Sequence, residues 1–141
     1  MLLPTSIDGI NAEWIQAVLQ AQQPNVVVER VEHLAVIHGS ATKVRVGVTY
    51  GDATQSALPP SLLVKIGLEP HSDIIAEYGV YATEANAYGY VLPRCKINAP
   101  KCFFQMVQQD TGQGAIVLED LTLRNAGFGD ARTPYSIDEV V

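Results

Sequence analysis

An α+β domain with a five-stranded antiparallel sheet is the fold class that the sequence predicts. The predicted elements follow the order helix, three strands, helix and two strands, and short turns join the strands into hairpins. The chain has 141 residues, of which 48% are hydrophobic and 17% are charged. This length and composition are typical of one globular domain and opposite to those of a disordered chain.

An amphipathic helix and a hairpin open the predicted fold. Apolar residues recur at helical spacing over 12–21, directly after Asn11, which is a favoured N-cap residue. A run rich in β-branched residues predicts a bulged strand over 26–37. Alternating apolar and polar residues predict the next strand over 43–50, which pairs with the first as a hairpin.

A third strand, a longer helix and a second hairpin follow. The third strand is predicted over 62–66, and a helical pattern extends over 72–92 with Gly79 as a candidate point of division. The apolar stripe of this helix consists of Tyr81, Ala85, Tyr88 and Leu92. Two further strands, over 102–107 and 115–118, form the second hairpin.

Other segments lack such patterns. The stretch 51–60 is rich in turn formers without a period and is predicted to be a loop. We expect residues 1–121 to form one domain and 122–141 to be a linker and the start of a second, truncated lobe. Thr133 and Pro134 supply an N-cap and a first-turn proline for a helix that barely begins, which suggests that the chain is a fragment.

The charge balance and the apolar pattern disfavour two classes of partner. There are 9 Lys and Arg against 15 Asp and Glu, and this net charge of -6 argues against binding to nucleic acid. No apolar run reaches the roughly 20 residues of a membrane helix, so we predict a cytoplasmic protein with no membrane partner. Cys95 and Cys102 are predicted to be reduced, with a disulfide between them as the open alternative.

Lys65 is the first candidate functional residue, because it interrupts an otherwise apolar strand. A buried ammonium is costly unless it is paired. Glu84 lies at the edge of the apolar stripe of the following helix and is the candidate partner. In kinases, a strand lysine and a helix glutamate placed in this way orient the lysine toward nucleotide phosphates. The alternative is a lysine that extends into solvent and an ordinary surface glutamate.

The turn of the first hairpin is the second candidate feature. Gly39 allows close approach of a ligand to the backbone, and the hydroxyls of Ser40 and Thr42, which flank Ala41, can donate hydrogen bonds to phosphate oxygens. A single glycine in a hairpin is also consistent with a plain turn.

Two adjacent acids, Glu119 and Asp120, end the last strand. Paired carboxylates suggest a metal or an acid–base site. Neighbouring residues of a strand point to opposite faces, however, so the two side chains cannot easily share one ligand. The favoured interpretation is a solvated strand end.

In combination these features resemble the N-terminal lobe of aminoglycoside phosphotransferase and choline-kinase-like enzymes, especially the ecdysteroid-kinase-like branch. The resemblance covers nearly the whole chain, from about residue 11. Its most specific part is the run 118–121, Leu-Glu-Asp-Leu, in register with Lys65 and Glu84. It implies a protein-kinase-like N-lobe with an N-terminal helix and a helix equivalent to the kinase helix αC.

The resemblance also implies a role for each residue. Lys65 would contact the α and β phosphates of ATP, and Glu84 would hold Lys65. The phosphates would be covered by Gly39, Ser40, Ala41 and Thr42. The adenine edge would meet the backbone of Glu119, Asp120 and Leu121.

The catalytic part of such an enzyme is missing from the sequence. The family supplies the base and the magnesium ligands from a His-Gly-Asp type loop and a later aspartate of a second lobe, and none of the three histidines lies in such a motif. We therefore expect an ATP-binding lobe of a small-molecule hydroxyl kinase that is inactive alone and binds magnesium only with the second lobe. The alternatives are a non-catalytic binding module that forms homodimers, and an unrelated α+β domain in which Lys65 and Glu84 do not meet.

Overall fold

The computed structural model describes residues 1–51, 58–124, 126–128, 136 and 138. Within them, five antiparallel strands form one sheet in the order β1-β2-β3-β5-β4. The strands are β1 (Val28–Ile37), β2 (Thr42–Tyr50), β3 (Ser61–Ile66), β4 (Cys102–Val107) and β5 (Gly114–Glu119). The predicted α+β class and the five-stranded antiparallel sheet are confirmed, and β1 has the irregular register expected of a bulged strand.

The register gives the sheet two chemically different faces. Residues paired across neighbouring strands share a face, because side chains alternate along each strand. One face, here called the core face, carries Val44, Val46, Leu62, Val64 and Val117. The opposite face, here called the lysine face, carries Lys43, Arg45, Leu63, Lys65, Ile116 and Leu118.

Helix α1 (Ala12–Gln20) covers the core face. Its N-terminus is capped as predicted, since Asn11 Oδ1 accepts a hydrogen bond of 3.0 Å from the Trp14 backbone. The apolar side of the helix is buried in one cluster with the core face. These helix residues are Trp14, Ile15, Val18 and Leu19. Burial of this area is the main stabilising contribution that the helix makes.

Two short helices, α2 (Ser72–Glu77) and α3 (Val80–Asn86), occupy the region of the long predicted helix. Gly79 divides them with a left-handed φ of 70°, a conformation that glycine adopts at little cost. Helix α3 packs on the lysine face through Ala85, which lies in one buried cluster with Ile116 and Leu118. Beyond α3 the chain forms a π turn, Ala87–Val91, and a 3-10 turn, Leu92–Arg94, in which Tyr88 and Leu92 are only partly buried.

The remaining predictions concern the two cysteines, membrane-spanning helices, the loop over 51–60 and the helix start near the end of the sequence. Cys95 and Cys102 are free thiols, as predicted. Within the described ranges, no helix has the length and apolar character needed to cross a bilayer. Most of the loop predicted over 51–60 and the helix start predicted at Thr133 and Pro134 lie outside the described residues.

Candidate functional site

Lys65 and Glu84 form an ion pair between the sheet and helix α3. The Lys65 Nζ lies 2.7 Å from each carboxylate oxygen of Glu84. The two side chains are 23% and 31% exposed, so the pair is shielded on one side and open on the other. The cavity beside it has a volume of about 10 Å³, which is room for about one water molecule. A larger ligand therefore has to approach from the open side of the lysine face.

Lys43 is a second cation of this face, and sequence reasoning missed it. It is the direct cross-strand neighbour of Lys65. A Cβ added to Gly39 would lie 3.4 Å from the Lys43 Nζ, so this side chain reaches back to the turn between β1 and β2. Arg45 pairs with Asp120 and Lys65 with Glu84, whereas Lys43 has no acidic partner among the described residues. The signal that could have found it is the alternation that places residues 43 and 65 on one face.

The β1–β2 turn, residues 38–41, is held by the elements that follow β3. The hydroxyl of Tyr81, on α3, donates a hydrogen bond of 2.8 Å to the Ser40 carbonyl oxygen. His71 Nε2 lies 3.1 Å from the Gly39 carbonyl oxygen. His38 Nδ1 lies 2.9 Å from a carboxylate oxygen of Glu69. The turn is therefore fixed to the β3–α2 loop and to α3, and these contacts were not predicted.

The structure places Thr42 differently from the prediction. Its hydroxyl was expected to face phosphate, but the residue is 1% exposed and donates a hydrogen bond of 2.6 Å to Glu69 Oε1. This bond lowers the pKa of Glu69, and the hydrogen bond and charge of His38 act in the same direction against the effect of desolvation. Ala41 is buried as well, so His38, Gly39 and Ser40 form the exposed part of the turn.

The prediction that the adjacent acids form a solvated strand end is wrong for Asp120, because this residue is only 2% exposed. Its Oδ2 accepts hydrogen bonds from Arg45 at 3.0 Å and from Ser61 at 2.7 Å. Its Oδ1 accepts two more, of 3.0 and 2.7 Å, from the backbone and hydroxyl of Thr122. Burial alone would raise the pKa of Asp120, but these hydrogen bonds outweigh it and lower the pKa. One carboxylate thus joins β2, β3 and the segment after β5.

Glu119 has separate partners, as the strand alternation predicts for adjacent acids. One of its carboxylate oxygens lies 2.6 Å from Arg124 Nε, and the other accepts a hydrogen bond of 3.2 Å from the Lys101 backbone. Leu121 begins a 3-10 turn, Leu121–Arg124, directly after the strand. The two acids therefore fix the start of this segment from two sides.

The predicted site residues form two groups on the sheet. Lys65 and Glu84 lie at the end of β3 that leads to α2, near the β1–β2 turn. Glu119 pairs with Leu62, so the segment from 119 to 121 lies at the opposite end of β3. A ligand in contact with both groups would have to extend along the lysine face between them.

No family model, curated protein or solved structure shows a significant match to this chain. The assignment of function therefore rests on the residues of the site. In the part of the chain that the structure describes, no group of three or more His, Cys, Asp or Glu is placed to hold a metal ion. Neither of the two larger cavities, of about 420 and 430 Å³, is lined by Lys65 or Glu84.

Proposed function

We propose that this chain is the ATP-binding lobe of a kinase-like phosphotransferase that acts on a hydroxyl group of a small molecule. The observation that carries the proposal is the ion pair between Lys65 and Glu84, with an N–O distance of 2.7 Å, next to a hairpin turn. A strand lysine held by a helix glutamate is the arrangement with which protein kinases direct a lysine at nucleotide phosphates. The family resemblance of the sequence agrees with this assignment.

The charges of the lysine face support an anionic ligand. Lys43 and Lys65 lie directly opposite each other on β2 and β3. Like charges in such a position repel, and Glu84 offsets only one of them. A phosphate group near both ammonium groups would relieve the repulsion, and the exposed Gly39 and Ser40 leave its approach open. Two cations and an accessible turn are groups that fit the phosphates of ATP.

The segment from Glu119 to Leu121 would supply the adenine contact through its backbone. Asp120 and Glu119 hold this segment with their side chains. The Glu119 N–H donates to the Lys101 carbonyl and the Asp120 carbonyl accepts from the Leu123 N–H, so the adenine contact would fall on the other backbone groups of the segment. Kinases of this kind need a base and magnesium ligands as well. A second lobe would supply them, so this lobe alone would bind ATP without transferring its phosphoryl group.

Calorimetry with ATP and adenosine tests the proposal. We expect Lys65→Ala to weaken ATP binding about ten- to hundredfold, since a hydrogen bond to a charged group contributes about 1.5–3 kcal/mol. Adenosine binding should change less than about twofold, because Lys65 would contact only the phosphates. Lys96→Ala is the matched control, as Lys96 is exposed and lies outside the sheet. If ATP bound no more tightly than adenosine to the wild type, the proposal would be wrong.

A non-catalytic dimerisation module is the second candidate function. It is favoured by the edge strand β1, where Leu34 and Ile37 are both 48% exposed. Exposed apolar side chains on a strand edge are suited to contact with another chain. Sedimentation at increasing concentration would show a dimer that the double variant Leu34→Ser, Ile37→Ser weakens. A monomer at all concentrations would contradict this alternative.

A further inference from the structure

We infer that Tyr81 is a positioning residue that fixes the β1–β2 turn for phosphate binding, an inference that rests on the proposed function. Tyr81 is 5% exposed, and its hydroxyl donates a hydrogen bond of 2.8 Å to the Ser40 carbonyl oxygen. The same hydroxyl lies 3.1 Å from Ser72 Oγ, which in turn accepts a hydrogen bond of 2.8 Å from the Glu69 backbone. Tyr81 thus connects the turn to the β3–α2 loop.

Two glycines make the space that the Tyr81 ring occupies. A Cβ on Gly67, just after β3, would lie 2.6 Å from the Tyr81 Cε2 atom. A Cβ on Gly114, at the start of β5, would lie 3.2 Å from the Tyr81 Cβ atom. Side chains at these positions would displace the tyrosine or the strands. The ring therefore lies in a slot over the adjoining ends of β3 and β5, which are paired strands of the sheet, and its hydroxyl has a defined position.

The position of Tyr81 on α3 links the turn to the ion pair. Tyr81 and Glu84 are three residues apart and so lie on neighbouring parts of one helix surface. Tyr81 contacts the Ser40 carbonyl, and Glu84 contacts the Lys65 ammonium. One short helix therefore sets the positions of two groups that would meet the same phosphates. Loss of the Tyr81 hydroxyl would loosen the turn, which His38 and His71 also hold, and would leave the Lys65–Glu84 pair in place.

We expect loss of the Tyr81 hydroxyl to weaken the binding of ATP but not that of adenosine, which has no phosphate. Tyr81→Phe keeps the ring in its slot and removes one hydrogen bond to the turn. We expect ATP affinity to fall about three- to tenfold, the range for one hydrogen bond of ordinary strength. Adenosine affinity should stay unchanged, because adenosine has no phosphate to contact the turn. Hydrogen exchange should become faster at residues 39–41 and remain unchanged in the core of β3.

Matched variants separate positioning from general stability. Tyr78→Phe is the control, because Tyr78 is 80% exposed and lies just before α3. Gly67→Ala should displace both the Tyr81 ring and the Gln113 side chain, whose Oε1 is the atom nearest to the added Cβ, and weaken ATP binding at least as much as Tyr81→Phe. Equal losses of ATP and adenosine affinity in Tyr81→Phe would show a structural role alone and overturn the inference.

Comparison of the Lys65 and Tyr81 variants separates the proposed ATP-binding function from the inferred positioning role of Tyr81. If ATP binding requires Lys65 but is unchanged in Tyr81→Phe, the proposed function stands and the positioning role is wrong. If Lys65→Ala binds ATP as tightly as the wild type, the proposed function fails and this inference fails with it. A selective loss of ATP affinity in both variants, with Tyr78→Phe unchanged, supports both.

Discussion

Replacing Asp120 with alanine is expected to lower the free energy of unfolding by about 3 kcal/mol. Removing one partner of a buried ion pair costs about 3–5 kcal/mol, and the lower value applies because Arg45 remains 31% exposed and can be hydrated. The variant also leaves Ser61 and Thr122 without their acceptor. Domains are stable by about 5–15 kcal/mol, so this loss is a large part of the total. Urea denaturation followed by the fluorescence of Trp14 measures it.

Asp110→Ala is the control for this experiment, because Asp110 is an exposed residue of the β4–β5 turn. We expect that variant to change the free energy of unfolding by less than about 0.5 kcal/mol. Asp120→Asn keeps the shape of the side chain but removes its charge, and it should give an intermediate loss. A loss below about 1 kcal/mol for Asp120→Ala would show that the carboxylate contributes little to the fold.

The pH dependence of stability gives a second measure of the same carboxylate. The pKa of Asp120 is lower in the folded chain than the ordinary aspartate value of about 3.9. Its ionised form therefore stabilises the fold above about pH 4, and this contribution is lost as the pH falls through the lowered pKa. Asp120→Asn lacks this contribution at every pH. The difference in stability between wild type and Asp120→Asn should thus shrink below pH 4.

The strands and the first helix could be predicted because their signals are local. The alternation around Val46 and the helical spacing around Trp14 depend only on neighbouring residues. The order of the strands is not local, because β3 pairs with β5 across α2, α3 and β4. The π turn after Asn86 was not predicted either, because no residue type in the sequence marks it.

The candidate site could be predicted only where one residue was conspicuous. Lys65 stands out in an apolar strand, and its need for a partner indicates Glu84. Asp120 was misjudged because its burial depends on Arg45 and Ser61, which come from other strands. Tyr81 was assigned to a core stripe, and the sequence does not show that its hydroxyl reaches the turn at Ser40. Contacts between distant segments thus account for most of what the sequence left open.

Leu62→Ala is expected to destabilise the chain by about 2–5 kcal/mol, the usual cost of truncating a fully buried leucine. Leu62 is 0% exposed on the core face, within the same buried cluster as helix α1. The cavity left by alanine cannot close easily, because strands on both sides of β3 fix its position. Urea denaturation should show a lower midpoint with an unchanged slope.

Leu63→Ala is the matched control, since it makes the same change one residue later on the opposite face. Leu63 is only partly buried on the lysine face, where it packs beside Ala85 and Leu118. We expect Leu63→Ala to lower the free energy of unfolding by less than half as much as Leu62→Ala, because folding removes less of the apolar area of Leu63 from water. Equal losses would mean that the lysine face is covered as fully as the core face. An open lysine face is what a ligand at Lys65 requires, so this comparison tests the fold and the accessibility of the proposed site together.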